Sequence, residues 1–124
     1  MEKILAFQIK EGEMQKLKQI VNRMKIHLIA VEKEVYRQTL ADLLEQKVNP
    51  LLPAYDGDPL AESMIVMDGF TEKRFDILLQ AIQNKTVQID YKAVITPYNK
   101  KWNVLQLYLE MKREKAAYTN IKSK

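Results

Sequence analysis

The sequence predicts a single small α/β domain in which four mostly parallel strands alternate with four helices. Two observations carry that expectation. Apolar runs of strand length alternate with segments whose apolar residues recur at helical spacing, and strict alternation favours a parallel sheet with crossover helices. A length of 124 residues with 47% hydrophobic content supports one real core and not two ordinary domains. The domain is expected over residues 1–118, with 119–124 as a frayed basic tail. A ferredoxin-like α+β arrangement is the alternative, reached if one crossover is instead a hairpin.

The first strand is expected over residues 4–9, and the first helix follows with Met14, Leu17, Ile20, Val21 and Met24 on one stripe. The second strand, 26–31, holds the sole histidine, His27, and the second helix carries Val35, Tyr36, Thr39, Leu40, Leu43 and Leu44. Residues 49–63 form the least regular stretch. Pro50, Pro53 and Pro59 block helix and ladder alike, and Asp56-Gly57-Asp58 favours a turn, so a surface excursion is expected, with a lid as the functional alternative. The third strand is placed at 64–67. Thr71 caps the third helix, Phe70 staples onto Phe75, and Phe75, Leu78, Leu79 and Ile82 form its apolar stripe. The fourth strand is expected over 87–95. Asn103 caps the fourth helix, Gln106 completes a capping box, Trp102 staples onto Leu107, and the helix runs through Leu105 and Tyr108 toward Lys115. All four strands read as near-continuously apolar, as in strands covered on both faces. No internal repeat is visible in the residues.

Composition narrows the function classes. The chain has no cysteine, which removes disulfides, thiolate nucleophiles and cysteine metal sites and suits a reducing, cytoplasmic setting. No apolar run approaches the roughly 20 residues needed to cross a bilayer, and the start lacks a signal-peptide pattern, so no membrane partner is expected. The net charge of +4 is concentrated in residues 100–124, where seven basic side chains accompany Glu110 and Glu114. A solvated helix face and tail account for that bias, so nucleic acid is disfavoured as a partner. Gly12, Gly57 and Gly69 are isolated from one another, which excludes a phosphate loop, and His27 has neither a second metal-ligand histidine nor a nucleophile beside it. Neither a metal, a cofactor nor a catalytic group is expected.

The candidate site lies in KAVITPYNKKW, residues 92–102. Lys92 stands in a strand that otherwise reads as buried, where an ammonium needs a partner or must snorkel to the rim. Thr96 and Asn99 would orient a polar group, and Trp102 would offer stacking area or serve only as a staple. If the sheet is parallel, ligands gather beyond the strand C-terminal ends, a rim combining Ile9-Lys10, Asp68-Gly69-Phe70 and residues 96–99. The residues Gly69-Phe70 ahead of a helix, Lys92 through Pro97 with Asn99 and Trp102, and then Leu109-Glu110 and Glu114 resemble the signature of the small bacterial domain-of-unknown-function family 3783. Gln38-Thr39-Leu40 with Leu43 resembles that family's earlier block. Ala41 stands where the family more often has glycine, and Tyr98 replaces a small polar residue. The resemblance implies the fold and a single domain, and no reaction.

The expected function is a non-enzymatic binding or protein-interaction module acting on a partner protein or a small anionic ligand, with tentative ligand-binding residues Lys92, Thr96, Asn99, Trp102, Gly69 and Phe70. Two alternatives are an enzyme built on Lys92 or Asp68 at the rim and a nucleic-acid binder using the basic last helix. Self-association, if it occurs, is expected as a homodimer through Val104 and Met111.

Overall fold

Four strands form one mixed sheet in the order β2-β1-β3-β4, seen in a computed structural model that describes residues 1–122. In chain order the elements are β1 (Lys3–Phe7), α1 (Glu11–Met24), β2 (His27–Ala30), α2 (Leu40–Leu44), β3 (Met64–Asp68), α3 (Glu72–Asn84), β4 (Tyr91–Val94) and α4 (Val104–Lys122). The result is one small α/β domain, as expected, and its contacts cluster into two units, residues 1–31 with 59–95 and residues 32–58 with 96 onward.

The first unit holds the whole sheet. β1 pairs parallel with β2 and β3 pairs parallel with β4, because α1 and α3 each carry the chain back across the sheet. The central pair is antiparallel, with Lys3 opposite Asp68 and Phe7 opposite Met64. A parallel return requires a crossover, whereas the long stretch between α2 and β3 leaves the chain free to re-enter in either sense. The central strands are buried on both faces, as their continuous apolar runs predict, from Ile4 to Phe7 and from Met64 to Met67. β4 departs from the expectation. As an outer strand it alternates, with Tyr91 and Ala93 buried and Lys92 and Val94 exposed.

Strand ends are set by backbone turns that residue type only partly signals. β1 stops at Phe7 because Gln8 adopts a left-handed φ of 53°, and residues 87–90 are not strand because Thr86 does the same at 54°. The Val87 N–H closes the end of α3 by donating to the Ile82 carbonyl at 3.0 Å. Leu17 and Val21 of α1 and Leu78 and Ile82 of α3 pack with Ile4, Ala6, Ile65 and Met67 in one core. Each large aliphatic side chain buried there contributes about 1.5–3 kcal/mol relative to exposure.

Two polar clasps close the helix ends over this core. Arg74 donates to both Glu2 carboxylate oxygens, at 2.9 and 2.5 Å, and to the Met24 carbonyl at 2.7 Å. At α1, Glu13 pairs with Lys16 at 3.0 Å and accepts the Gln88 N–H at 3.2 Å. The Arg74 hydrogen bond holds the Glu2 carboxyl below its ordinary range, and the Lys16 hydrogen bond does the same for Glu13.

The second unit contains a 3₁₀ turn at Lys33–Val35, the short α2, a second 3₁₀ turn at Asn99–Lys101 and α4. The expected second helix, begun at Val35, is divided because the Thr39 hydroxyl accepts from Asp42 N at 3.1 Å and caps a helix of five residues there. The expected capping box opens α4, with Gln106 N–H donating to Asn103 at 2.9 Å and Asn103 N–H to Gln106 at 3.2 Å. α4 continues to Lys122, and the last two residues of the expected tail, 123–124, lie outside the described residues. Val104 is fully buried within its own chain and is not available to a second copy, contrary to the expected dimer contact.

The proline-rich stretch is held more firmly at its ends than its composition suggests. Buried Gln38 exchanges two hydrogen bonds with the Asn49 backbone, at 2.8 and 3.3 Å. Tyr55 N–H donates to the Glu34 carbonyl at 3.0 Å and its ring lies 5.4 Å from that of Tyr36, while Lys33 reaches the Gly57 carbonyl. Leu51 does not tack the loop down and is 89% exposed.

Candidate functional site

The antiparallel centre of the sheet separates residues that the parallel expectation joined. Asp68 lies opposite Lys3, at the start of β1, whereas Ile9 and Lys10 follow the far end of that strand. Five residues at strand rise put the two ends on the order of 15 Å apart, so Ile9-Lys10 and Asp68-Gly69-Phe70 do not share a rim.

At the end of β3 the chain turns through Gly69, whose φ is +84°. A Cβ there would stand 2.7 Å from the Met1 carbonyl oxygen, so the position excludes side chains on two counts. The turn carries Phe70 to the start of α3, where the Thr71 hydroxyl accepts the Arg74 N–H at 3.2 Å, confirming the expected cap. Phe70 and Phe75 then wall a cavity of about 240 Å³ with Met67, Val94, Ile95, Gly69 and Glu72. Its walls are apolar apart from Glu72.

Lys92 is exposed on the outer strand, and the buried setting expected for it does not exist. It lines a shallower groove of about 440 Å³ beside Leu79, Gln83, Thr86 and Gln88. At the head of the same strand, Asp90 accepts from both the N–H and hydroxyl of Ser63, at 2.8 and 3.0 Å, and its own N–H donates back to Ser63 Oγ at 2.9 Å. Tyr91 donates to Glu62 at 3.2 Å. Burial, reinforced by the Glu62 charge, raises the phenol above its ordinary range, so it is not poised for proton transfer.

Thr96 and Asn99 are brought together, but by each other. Thr96 N–H donates to Asn99 Oδ1 at 2.8 Å, and Asn99 N–H donates to Thr96 Oγ1 at 3.0 Å. Asn99 is 7% exposed, and its acceptor oxygen faces the backbone of its own turn. Trp102 is half-buried and ends that turn, donating its N–H to the Asn99 carbonyl at 2.9 Å and accepting the Leu40 N–H at 2.9 Å. The stretch is a built strand-to-helix junction.

Those positions are the ones on which the family likeness rests. Residues 63–118 match the family Domain of unknown function (DUF3783). The match takes in the lysine-to-tryptophan motif and lies within the second half of the chain. No curated protein and no solved structure matches. In the DUF3783 segment the motif residues Thr96 and Asn99 make the junction's hydrogen bonds and Asn103 caps the helix that follows, while Phe70, Phe75 and Val94 line the cavity.

A second cavity, of about 590 Å³, is polar and lined by Gln8, Lys10, Glu13, Lys16, Ser63 and Asp90 among others. Its charges are of both signs, and Glu13 with Lys16 and Ser63 with Asp90 already bond to each other. Such a lining favours no single ligand charge. Sequence reasoning missed Phe75 and Val94 as cavity walls, because one read as a staple and the other as a buried strand residue. Among the described residues, no three of His, Cys, Asp or Glu gather in a way that could hold a metal ion. No helix among them is long and apolar enough to cross a membrane.

Proposed function

We propose that this chain is a non-enzymatic protein-interaction module of the bacterial cytoplasm, which receives an apolar side chain of a partner protein at the end of β3 and β4. The cavity walled by Phe70, Phe75 and Val94 carries this reading. At about 240 Å³ it falls below the roughly 300–1,000 Å³ of small-molecule sites, yet it suits one large side chain. Val94 is 47% exposed on an outer strand, an apolar anchor at the mouth. The polar groups that a small anionic ligand would use, Thr96 and Asn99, are engaged in their own turn.

The test is affinity capture from lysate of the source cells with wild-type and Val94→Asp chains side by side. A protein retained by the first and lost by the second is the expected result. Identical retention on both, or a small metabolite whose binding shifts the Thr96 and Asn99 amide resonances and leaves those of Phe70 and Phe75 unmoved, overturns the reading.

A further inference from the structure

The sheet unit falls onto itself when its first half is shifted by 61 positions. Left-handed backbone occurs at Gln8 and Lys25 and again 61 residues on, at Gly69 and Thr86, with Gln46 standing outside the pairing. Helix closure repeats as well: Ile26 N–H donates to Val21 O at 2.9 Å, and Val87 N–H to Ile82 O at 3.0 Å. Buried Ile4, Leu17 and Val21 fall on buried Ile65, Leu78 and Ile82. In the antiparallel centre Leu5 lies opposite Val66, its own counterpart, as a two-fold arrangement demands.

Beyond the helices the shift becomes 64, because residues 88–90 have no equivalent between Ile26 and His27. His27 donates to Glu2 O and Tyr91 to Ser63 O, each at 3.0 Å, and Val31 to Ala6 O and Ile95 to Met67 O, each at 2.9 Å. The second unit repeats at the same spacing. Thr39 and Asn103 each cap a helix by accepting the N–H three residues on, and the two face each other in an antiparallel bridge.

We propose that the chain is a tandem duplication, in which the segment before the loop is a diverged copy of the DUF3783 unit and β1 takes the place that β3 of a second copy would occupy. The edge that β3 offers to β1 is thus an interface between copies. The family match begins at residue 63, where the second copy begins, and leaves the first unmatched. Identity survives at few aligned positions, among them Ile4 with Ile65, Leu17 with Leu78 and Gln19 with Gln80, too few to be visible as a repeat. The copies have parted at the cavity, a point that rests on the reading above. Gly69, Phe70, Phe75 and Val94 correspond to Gln8, Ile9, Met14 and Ala30, so the aromatic walls belong to the second copy alone.

The test uses two full-length chains. In one, the sequence of residues 69–87 replaces residues 8–26 position for position, which keeps the buried Phe7; in the other, the same block is written one residue out of register. The in-register chain is expected to keep a cooperative urea transition and dispersed amide resonances, and the shifted chain to lose both. An in-register chain no better folded than the shifted one overturns the proposal. A second measurement does not depend on the transplant: Ala6→Met and Met67→Ala each lower the urea midpoint, and the two together recover more than half of the summed loss. Pairing Ala6→Met with Leu78→Ala, which are not counterparts, recovers none. Equal behaviour of the two pairs overturns the equivalence. Neither experiment involves a partner protein, so their failure leaves the Val94→Asp capture to decide the interaction reading separately.

Discussion

Replacing Asn99 with alanine tests whether the motif of residues 92–102 is architecture. The side chain is 7% exposed, and its Oδ1 accepts the Thr96 N–H at 2.8 Å, so truncation leaves that donor without its partner and a small void behind. A lost hydrogen bond costs about 0.5–1.5 kcal/mol and the void left by a buried side chain adds to it, so we expect a loss of about 2 kcal/mol. Thr96→Val removes the reciprocal acceptor of the Asn99 N–H, on an exposed residue, and should cost about 1 kcal/mol. Because the two bonds close one ring, the double variant should lose less than the sum. The assay is urea unfolding followed by Trp102 fluorescence, where 2 kcal/mol moves the midpoint by about 1 M for a chain of this size. An Asn99→Ala loss under about 0.5 kcal/mol would refute the reasoning and return Asn99 to the ligand-binding candidates.

Three further outcomes follow from the geometry. Gly69→Ala should destabilise by about 2 kcal/mol, from its φ of +84° and the 2.7 Å approach to Met1 O, whereas Gln8→Gly at the counterpart position should be neutral or stabilising, checked in the same urea assay. Glu2 and Glu13 both have folded-state carboxyls below 4.5, so their contribution is fully present above that pH and is lost as pH falls through the lowered values. Arg74→Met should therefore flatten the acid limb of a stability profile measured between pH 6 and pH 2 (on the order of the whole carboxylate range). Limited chymotrypsin digestion should cut first at Leu51 and spare Tyr55, whose backbone and ring are tethered.

Much of the local structure was legible because its causes are local. Thr71 and Asn103 declare their caps by chemistry that acts within three residues, and the stripe through Leu17, Ile20 and Val21 requires only helical spacing. The likeness carried by residues 92–102 was legible as well, since the junction's partners Thr96 and Asn99 stand three positions apart. The division of the second helix was less so: Thr39 on an apolar stripe reads equally as interior or cap, and the hydrogen bond to Asp42 decides between them.

By itself the sequence determined the element types, the alternation of strand and helix, and the apolar character of the two central strands. The tertiary structure alone decided that β1 and β3 meet antiparallel, that β4 stands outermost with Lys92 and Val94 in the open, and that Gln8, Lys25 and Thr86 turn left-handed without glycine. The strand pairings arise from contacts between residues far apart in the chain, whose free energy depends on which faces find each other and not on the identity of near neighbours. The duplication was hidden for the same reason, because packing preserves backbone geometry and burial while surface side chains such as Gln15 and Asp76 drift apart.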